Sequence, residues 1–252
     1  MTGERVQIKL LGTLEVSRIP EMTAAKLRQV LALLAVNANT MVTTEQLIDE
    51  LWPFSPPSTV KTVVQTYVYQ LRKLFSDAFE DSQGSELLLT RPGGYVLAIP
   101  RENVDIFQFH DLVVRGREAL RRGEAVRAAD LLRESLSLWR GPALADVTSG
   151  PSLRGISVYL EEQHLEAVSL RIEADLANNR HREIIGELRL LVATHHLHED
   201  FHILLMQALH GSGRRGEALN VYSELRSILD EELGLEPSPE AKEFQREILV
   251  RH

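Results

Sequence analysis

The stretch Val60-Lys61-Thr62-Val63-Val64-Gln65-Thr66-Tyr67-Val68-Tyr69-Gln70-Leu71-Arg72-Lys73-Leu74-Phe75 decides the fold of the chain. On a wheel of about 100° per residue with Val64 at zero, Val60, Tyr67, Val68, Leu71, Leu74 and Phe75 fall between about −80° and +40°. Thr62, Gln65, Thr66, Tyr69, Arg72 and Lys73 occupy the opposite side. The spacing predicts a helix with one apolar stripe toward a core and one face of amides, hydroxyls and two cations. Such a face fits a major groove, where Gln and Arg pair with base edges and Lys meets phosphate. Taken alone, the face is more often that of a solvated surface helix, since surface helices are polar by default, so the neighbouring segments decide between the two.

After the helix, Leu87-Leu88-Leu89-Thr90 and Tyr95-Val96-Leu97 flank Arg91-Pro92-Gly93-Gly94, the pattern of a hairpin with a basic tip. A basic hairpin tip beside a polar helix face is a way to grip backbone phosphate, and the combination favours DNA binding. Before the helix, Thr43-Thr44-Glu45-Gln46 fits a capping box with Thr43 as N-cap, and Leu47, Ile48 and Leu51 form the buried face of a short helix that Pro53 stops. An earlier helix is predicted with Thr23 as its cap and Leu27, Val30, Leu31 and Leu34 on one face. Val6 to Leu10 and Leu14 to Val16 alternate about a Gly12-Thr13 turn, which predicts a first hairpin. Hairpin, three helices and hairpin is the order of a winged helix-turn-helix carrying an extra N-terminal sheet.

Beyond Ile99-Pro100-Arg101-Glu102-Asn103, a short connection, apolar residues recur at helical spacing only. Turn signals stand at Arg122-Gly123-Glu124, Asn178-Asn179-Arg180 and Ser212-Gly213-Arg214; Asn179 to Gly213 is 34 residues, the tetratricopeptide period. The wider interval from Gly123 to Asn179 predicts an irregular piece from Trp139 through Pro151, followed by a long helix from about Leu153 to Asn178. The expected fold is mainly α with a small β component: a winged helix over residues 1–100 and tetratricopeptide-like helices over 101–252.

The chain has 252 residues, 44% hydrophobic and 25% charged, with no cysteine, so disulfide scaffolds, Cys-ligated metal and thiol catalysis are excluded. Residues 1–100 carry 9 basic and 10 acidic side chains against 19 and 26 in residues 101–252, so the acidity belongs to the C-terminal part. No apolar run reaches the roughly 18 residues of a membrane span, and Met1 to Leu10 lacks the apolar core of a leader, so a cytoplasmic protein without a membrane partner is expected. Gly211-Ser212-Gly213-Arg214-Arg215-Gly216 matches a dinucleotide motif by letter, but helical sequence precedes it where a strand is needed. His198 and His202 would share a helix face at i, i+4 near His195 and His196; without a clear third ligand they make surface or packing residues. No cofactor and no enzyme chemistry are expected.

The run Lys61 to Lys73, followed by Thr90-Arg91-Pro92-Gly93-Gly94-Tyr95, resembles the OmpR/PhoB-type winged helix, in the version found in the Streptomyces antibiotic regulatory proteins. Leu138-Trp139-Arg140-Gly141, Leu205-Met206-Gln207-Ala208-Leu209, Gly213-Arg214-Arg215-Gly216-Glu217-Ala218-Leu219 and Glu232-Leu233-Gly234-Leu235-Glu236-Pro237 resemble the bacterial transcriptional activator domain. The resemblance implies DNA contacts by Thr62, Tyr67, Tyr69, Gln70 and Arg72 on the helix and by Leu89 and Arg91 in the wing. Joined to the helix wheel, the expected DNA-binding set is Thr62, Gln65, Thr66, Tyr69, Gln70, Arg72, Lys73, Thr90 and Arg91, with Trp52, Phe54 and Ser55 as the polymerase contact. The resemblance further implies an activator that binds direct repeats in double-stranded promoter DNA near a −35 element, as a dimer on DNA. It would recruit RNA polymerase holoenzyme, including the sigma factor, to antibiotic or other secondary-metabolite genes. A repressor of the same fold and a helical-repeat adaptor are the alternatives.

Overall fold

The first hairpin sets how the fold begins. In the computed structural model, which describes residues 6–79 and 86–250, strand β1 (Ile8–Lys9) pairs antiparallel with β2 (Glu15–Val16) in the register Ile8↔Val16. Residues 1–5 of the stretch read for a leader lie outside the described residues. The chain packs as two units: residues 1–112 with 134–164, and residues 113–133 with 165–252. The fold is mainly α with small sheets, a winged helix-turn-helix followed by a helical region.

In the first unit, helices α1 (Ala25–Val36), α2 (Thr44–Leu51) and α3 (Val60–Ala78) form the helical part of the winged helix. Leu27, Val30, Leu31 and Leu34 are buried as the spacing predicts, but so are Gln29, Ala32, Leu33 and Ala35, because α1 is enclosed nearly all round. Thr23 is not the cap. The N-cap is Ala24 and no side chain caps this end, so burial rather than capping holds α1. At α2 the box forms as read: Thr43 Oγ1 accepts from the Gln46 amide at 3.1 Å and Gln46 Oε1 from the Thr43 amide at 2.8 Å. Strand β3 (Val42–Thr43) joins β4 (Leu88–Arg91) and β5 (Gly94–Leu97) in the order β3-β5-β4. Gly94 is required there, since a Cβ would stand 2.3 Å from the Val42 carbonyl oxygen.

The turn between β1 and β2 is held by residues far along the chain. The amides of Arg140, Leu144 and Ala145 donate to the carbonyls of Leu11, Leu10 and Gly12 at 2.9, 2.9 and 3.1 Å. Asp146 Oδ1 accepts from the Leu14 amide at 2.7 Å. Buried Asp105 accepts from the Leu10 and Leu11 amides at 2.8 and 3.0 Å. Burial raises its pKa, opposed by these amides and by Arg140. Glu50, on α2 and 1% exposed, caps the start of a later helix. Its carboxylate accepts from the amides of Gly150, Ser152 and Leu153 at 2.7, 2.8 and 3.3 Å.

Helices α4 (Asp105–Arg121), α5 (Ala125–Ser137) and α6 (Pro151–Ala177) have residues in both units, while α7 (His181–Thr194), α8 (Glu199–Gly211), α9 (Arg215–Leu233) and α10 (Pro239–Val250) belong to the second. Residues 138–150 are irregular and α6 is long, as the spacing predicts. The three turn signals become three copies of one corner. Gly123, Asn179 and Gly213 take φ of +75°, +60° and +82°, and the amides of Glu124, Arg180 and Arg214 donate to carbonyls five residues back, at Ala119, Asp175 and Leu209. Buried Asp175 gathers Arg133, Arg171 and Arg180 around one carboxylate.

His198 does not share a helix face with His202: it is the N-cap of α8 and stacks on Phe201 with centroids 4.5 Å apart. Glu199 and Asp200 form the first turn of that helix, where carboxylates favour the positive end of the dipole. His202 is 1% exposed; its Nε2 donates to the His196 carbonyl at 2.9 Å, and its Nδ1 is buried without a partner. Burial lowers its pKa, opposed by the His196 carbonyl, Glu224 and Glu199. The folded chain therefore takes up this proton less readily than the unfolded chain does. The stabilising contribution is complete above the unfolded value of about 6.5 and is lost as pH falls below it toward the lower folded value. The second unit is expected to resist urea less as pH falls through that range, with the pH slope reduced in His202→Gln.

Candidate nucleic-acid interface

Helix α3 presents the two faces read from the wheel. Val64, Val68, Leu71 and Phe75 are buried, with Val60, Tyr67 and Leu74 half-buried at the edges of the stripe. Lys61, Thr62, Gln65, Thr66, Tyr69, Gln70 and Lys73 are exposed, and Tyr69 keeps 67% of its surface open. Thr66 Oγ1 donates to the Thr62 carbonyl at 2.9 Å, so its proton is committed to its own helix and the oxygen is left to accept. Asp77, in the last turn, is the one acid on α3.

The wing is a tight hairpin. Arg91 pairs with Gly94 across the turn residues Pro92 and Gly93; proline fixes its own φ, and Gly93 takes φ +88°. The Gly93 carbonyl accepts from the Thr44 amide at 2.9 Å, which ties the wing to the start of α2. Thr90 and Arg91 are exposed and Leu89 is half-buried. Arg72 departs from its neighbours on α3. It is half-buried, its Nε and Nη2 donate to the Leu88 carbonyl at 2.9 and 2.8 Å, and Nη2 also donates to Thr90 Oγ1 at 2.7 Å. This contact is not legible in the sequence, because neither residue spacing nor polarity shows which partner a guanidinium will find.

The loop before α3 holds the second candidate group. Phe54 is 94% exposed between Pro53 and Ser55-Pro56-Pro57, a stiff apolar tip, and Ser55 is exposed beside it. Trp52 is half-buried and anchored: Lys26 Nζ lies 4.0 Å from its ring centroid and donates to the Leu51 carbonyl at 2.8 Å.

These elements match known protein families in the same order. Residues 21–97 match the family described as transcriptional regulatory protein, C terminal, and residues 104–249 match the bacterial transcriptional activator domain. The regulatory protein DnrI of Streptomyces peucetius is 40% identical over 229 residues, 90% of this chain and 84% of the relative. The chain belongs to the Streptomyces antibiotic regulatory protein (SARP) family. The transcriptional regulator RedD of Streptomyces coelicolor is 35% identical to this SARP over 99% of its chain and 72% of the relative. A solved structure of Mycobacterium tuberculosis EmbR, in complex with a low-affinity phosphopeptide, superposes with a TM-score of 0.92 at 31% identity. It is covered over 97% of this chain and 65% of its own. The SARP chain spans only 25% of the regulatory protein AfsR of Streptomyces griseus. Among the described residues of this SARP, no helix is long and apolar enough to cross a membrane and no group of three or more His, Asp or Glu is placed to hold a metal ion.

Proposed function

We propose that this SARP is a sequence-specific DNA-binding transcriptional activator, with residues 1–100 as the DNA-binding domain and 101–252 as the activator domain. The observation that carries the proposal is the exposed face of α3 beside a wing that ends in Arg91, in a chain whose relatives are transcriptional regulators. Thr62, Gln65, Thr66, Tyr69 and Gln70 would meet base edges and sugar–phosphate from the major groove. Lys61, Lys73 and Arg91 would hold phosphates. Two protomers on direct repeats about 10–10.5 bp apart would face the same side of the duplex, near a −35 element. Phe54 and Ser55, steadied by Trp52, would contact RNA polymerase holoenzyme and its sigma factor. Secondary-metabolite genes are the proposed targets, and the cytoplasm is the proposed place of action.

Salt dependence tests the DNA-binding step. Lys61, Lys73 and Arg91 make no ion pair among the described residues, so each is available to displace a counterion. Fluorescence anisotropy on a promoter fragment from beside its own gene should give a slope of log K against log salt of roughly −2.5 to −3 per protomer, at about −0.9 per phosphate contact. Arg91→Ala should lower that slope by about one. A helical-repeat adaptor would show no duplex binding at any salt concentration, which would end this reading.

A further inference from the structure

We propose that Arg72 is a positioning residue that latches the recognition helix to the wing, so that α3 and the Arg91 tip approach a duplex as one rigid piece. The inference rests on the DNA-binding reading above and deepens it. Strand β4 is the edge of the sheet, since the order is β3-β5-β4. Its pairing with β5 starts from the Ala98 amide, which donates to the Leu87 carbonyl at 2.7 Å. In an antiparallel ladder alternate residues point their backbone groups away from the partner, so Leu88 and Thr90 turn theirs to the open edge. Arg72 meets both positions. Two of its nitrogens converge on the Leu88 carbonyl, and one of them also reaches the Thr90 hydroxyl.

Leu88 is 1% exposed, so among the described residues Arg72 is the donor that keeps its carbonyl from being buried without a partner. The planar guanidinium fork makes this contact possible; a lysine ammonium can reach one acceptor at a time from a flexible stem. The wing is thus fastened at two places, by the Thr44 amide on the Gly93 carbonyl and by Arg72 on the strand edge. A guanidinium held this way sets the distance between the groove-facing helix and the phosphate-gripping tip. Base reading is left to the uncharged residues of α3.

The test combines hydrogen exchange with duplex binding in the full chain. Arg72→Ala is expected to speed amide exchange across residues 88–97 by about tenfold while α3 stays protected. Binding to the promoter fragment and to a scrambled duplex of equal length should weaken alike, by about tenfold, with their ratio unchanged. Thr90→Val should act in the same direction with a smaller loss, and adding it to Arg72→Ala should cost nothing further, the mark of a shared contact. Arg72→Lys keeps the charge and should still loosen the wing. Unchanged exchange in Arg72→Ala overturns the latch, and so does faster exchange with unaltered binding. A loss confined to the promoter fragment, with the wing still protected, would make Arg72 a base reader and overturn the proposal. If the wild-type chain bound neither duplex, the DNA-binding reading would fail, and exchange alone would decide the latch.

Discussion

Replacing Glu50 with alanine is expected to remove roughly 3–5 kcal/mol from the stability of the first unit. The side chain is buried, and its two carboxylate oxygens serve the Gly150, Ser152 and Leu153 amides at the opening of α6. Those donors belong to the first turn of a helix and have no intrahelical acceptor of their own. With the carboxylate gone, the buried Gly150 amide is the one water replaces least readily, because Gly150 packs so closely that a Cβ would stand 2.1 Å from the Glu50 carbonyl oxygen. Gln29, whose Nε2 donates to that carbonyl at 2.7 Å, would keep the backbone of Glu50 in place and leave the gap unhealed. Glu50→Gln keeps the size and one acceptor, so a smaller loss is expected. The chain's two tryptophans, Trp52 and Trp139, both lie in the first unit and make a direct fluorescence probe of its unfolding in urea. A shift below about 1 kcal/mol, the ordinary effect of a point substitution, would contradict the assignment of Glu50 as the cap of α6.

The second large effect is expected in recognition. Gln65 and Tyr69 stand one turn apart on the exposed face of α3 and make no side-chain hydrogen bond or ion pair among the described residues, so the double variant Gln65→Ala/Tyr69→Ala should unfold as the wild type does. Each base-edge contact is worth about 1–3 kcal/mol of discrimination. Losing two should lower affinity for the promoter fragment by roughly a hundredfold or more while binding to scrambled duplex changes little. The salt slope should stay close to the wild-type value, because no phosphate-facing cation is altered. Competition binding with the two duplexes reads the ratio directly. A ratio equal to that of the wild type would remove these residues from the reading face.

The sequence carried the local parts of this account and missed the distant ones. The stripe Val64, Val68, Leu71 and Phe75 is legible because a helix buries residues at a fixed period. The Thr43–Gln46 box and the corners at Gly123, Asn179 and Gly213 are legible because cap and turn chemistry lies within a few residues of its site. Thr23 has the right side chain for a cap, yet Ala24 holds the position: α1 is stabilised by burial and does not need one. Glu50 reads as one more acid in a short amphipathic helix, and Asp105 as an acid in a helical first turn. Their partners stand about a hundred residues away along the chain, and no local pattern announces them. The same holds for the segment Arg140 to Asp146, which bonds the first hairpin although it lies between two helices of the later region. At the candidate interface the exposed face was readable from polarity. The turn of Arg72 onto the edge of β4 depends on where the wing lies in space.

Promoter binding by this SARP is proposed to bring polymerase with it. Footprinting of the purified protein on the promoter beside its own gene, with and without RNA polymerase holoenzyme, tests it most directly when transcript is measured in the same reactions. Protection of direct repeats spaced by about one helical turn is expected, strengthened by the holoenzyme and accompanied by more transcript. Protection that excludes polymerase and lowers transcript would contradict it and identify a repressor of the same fold.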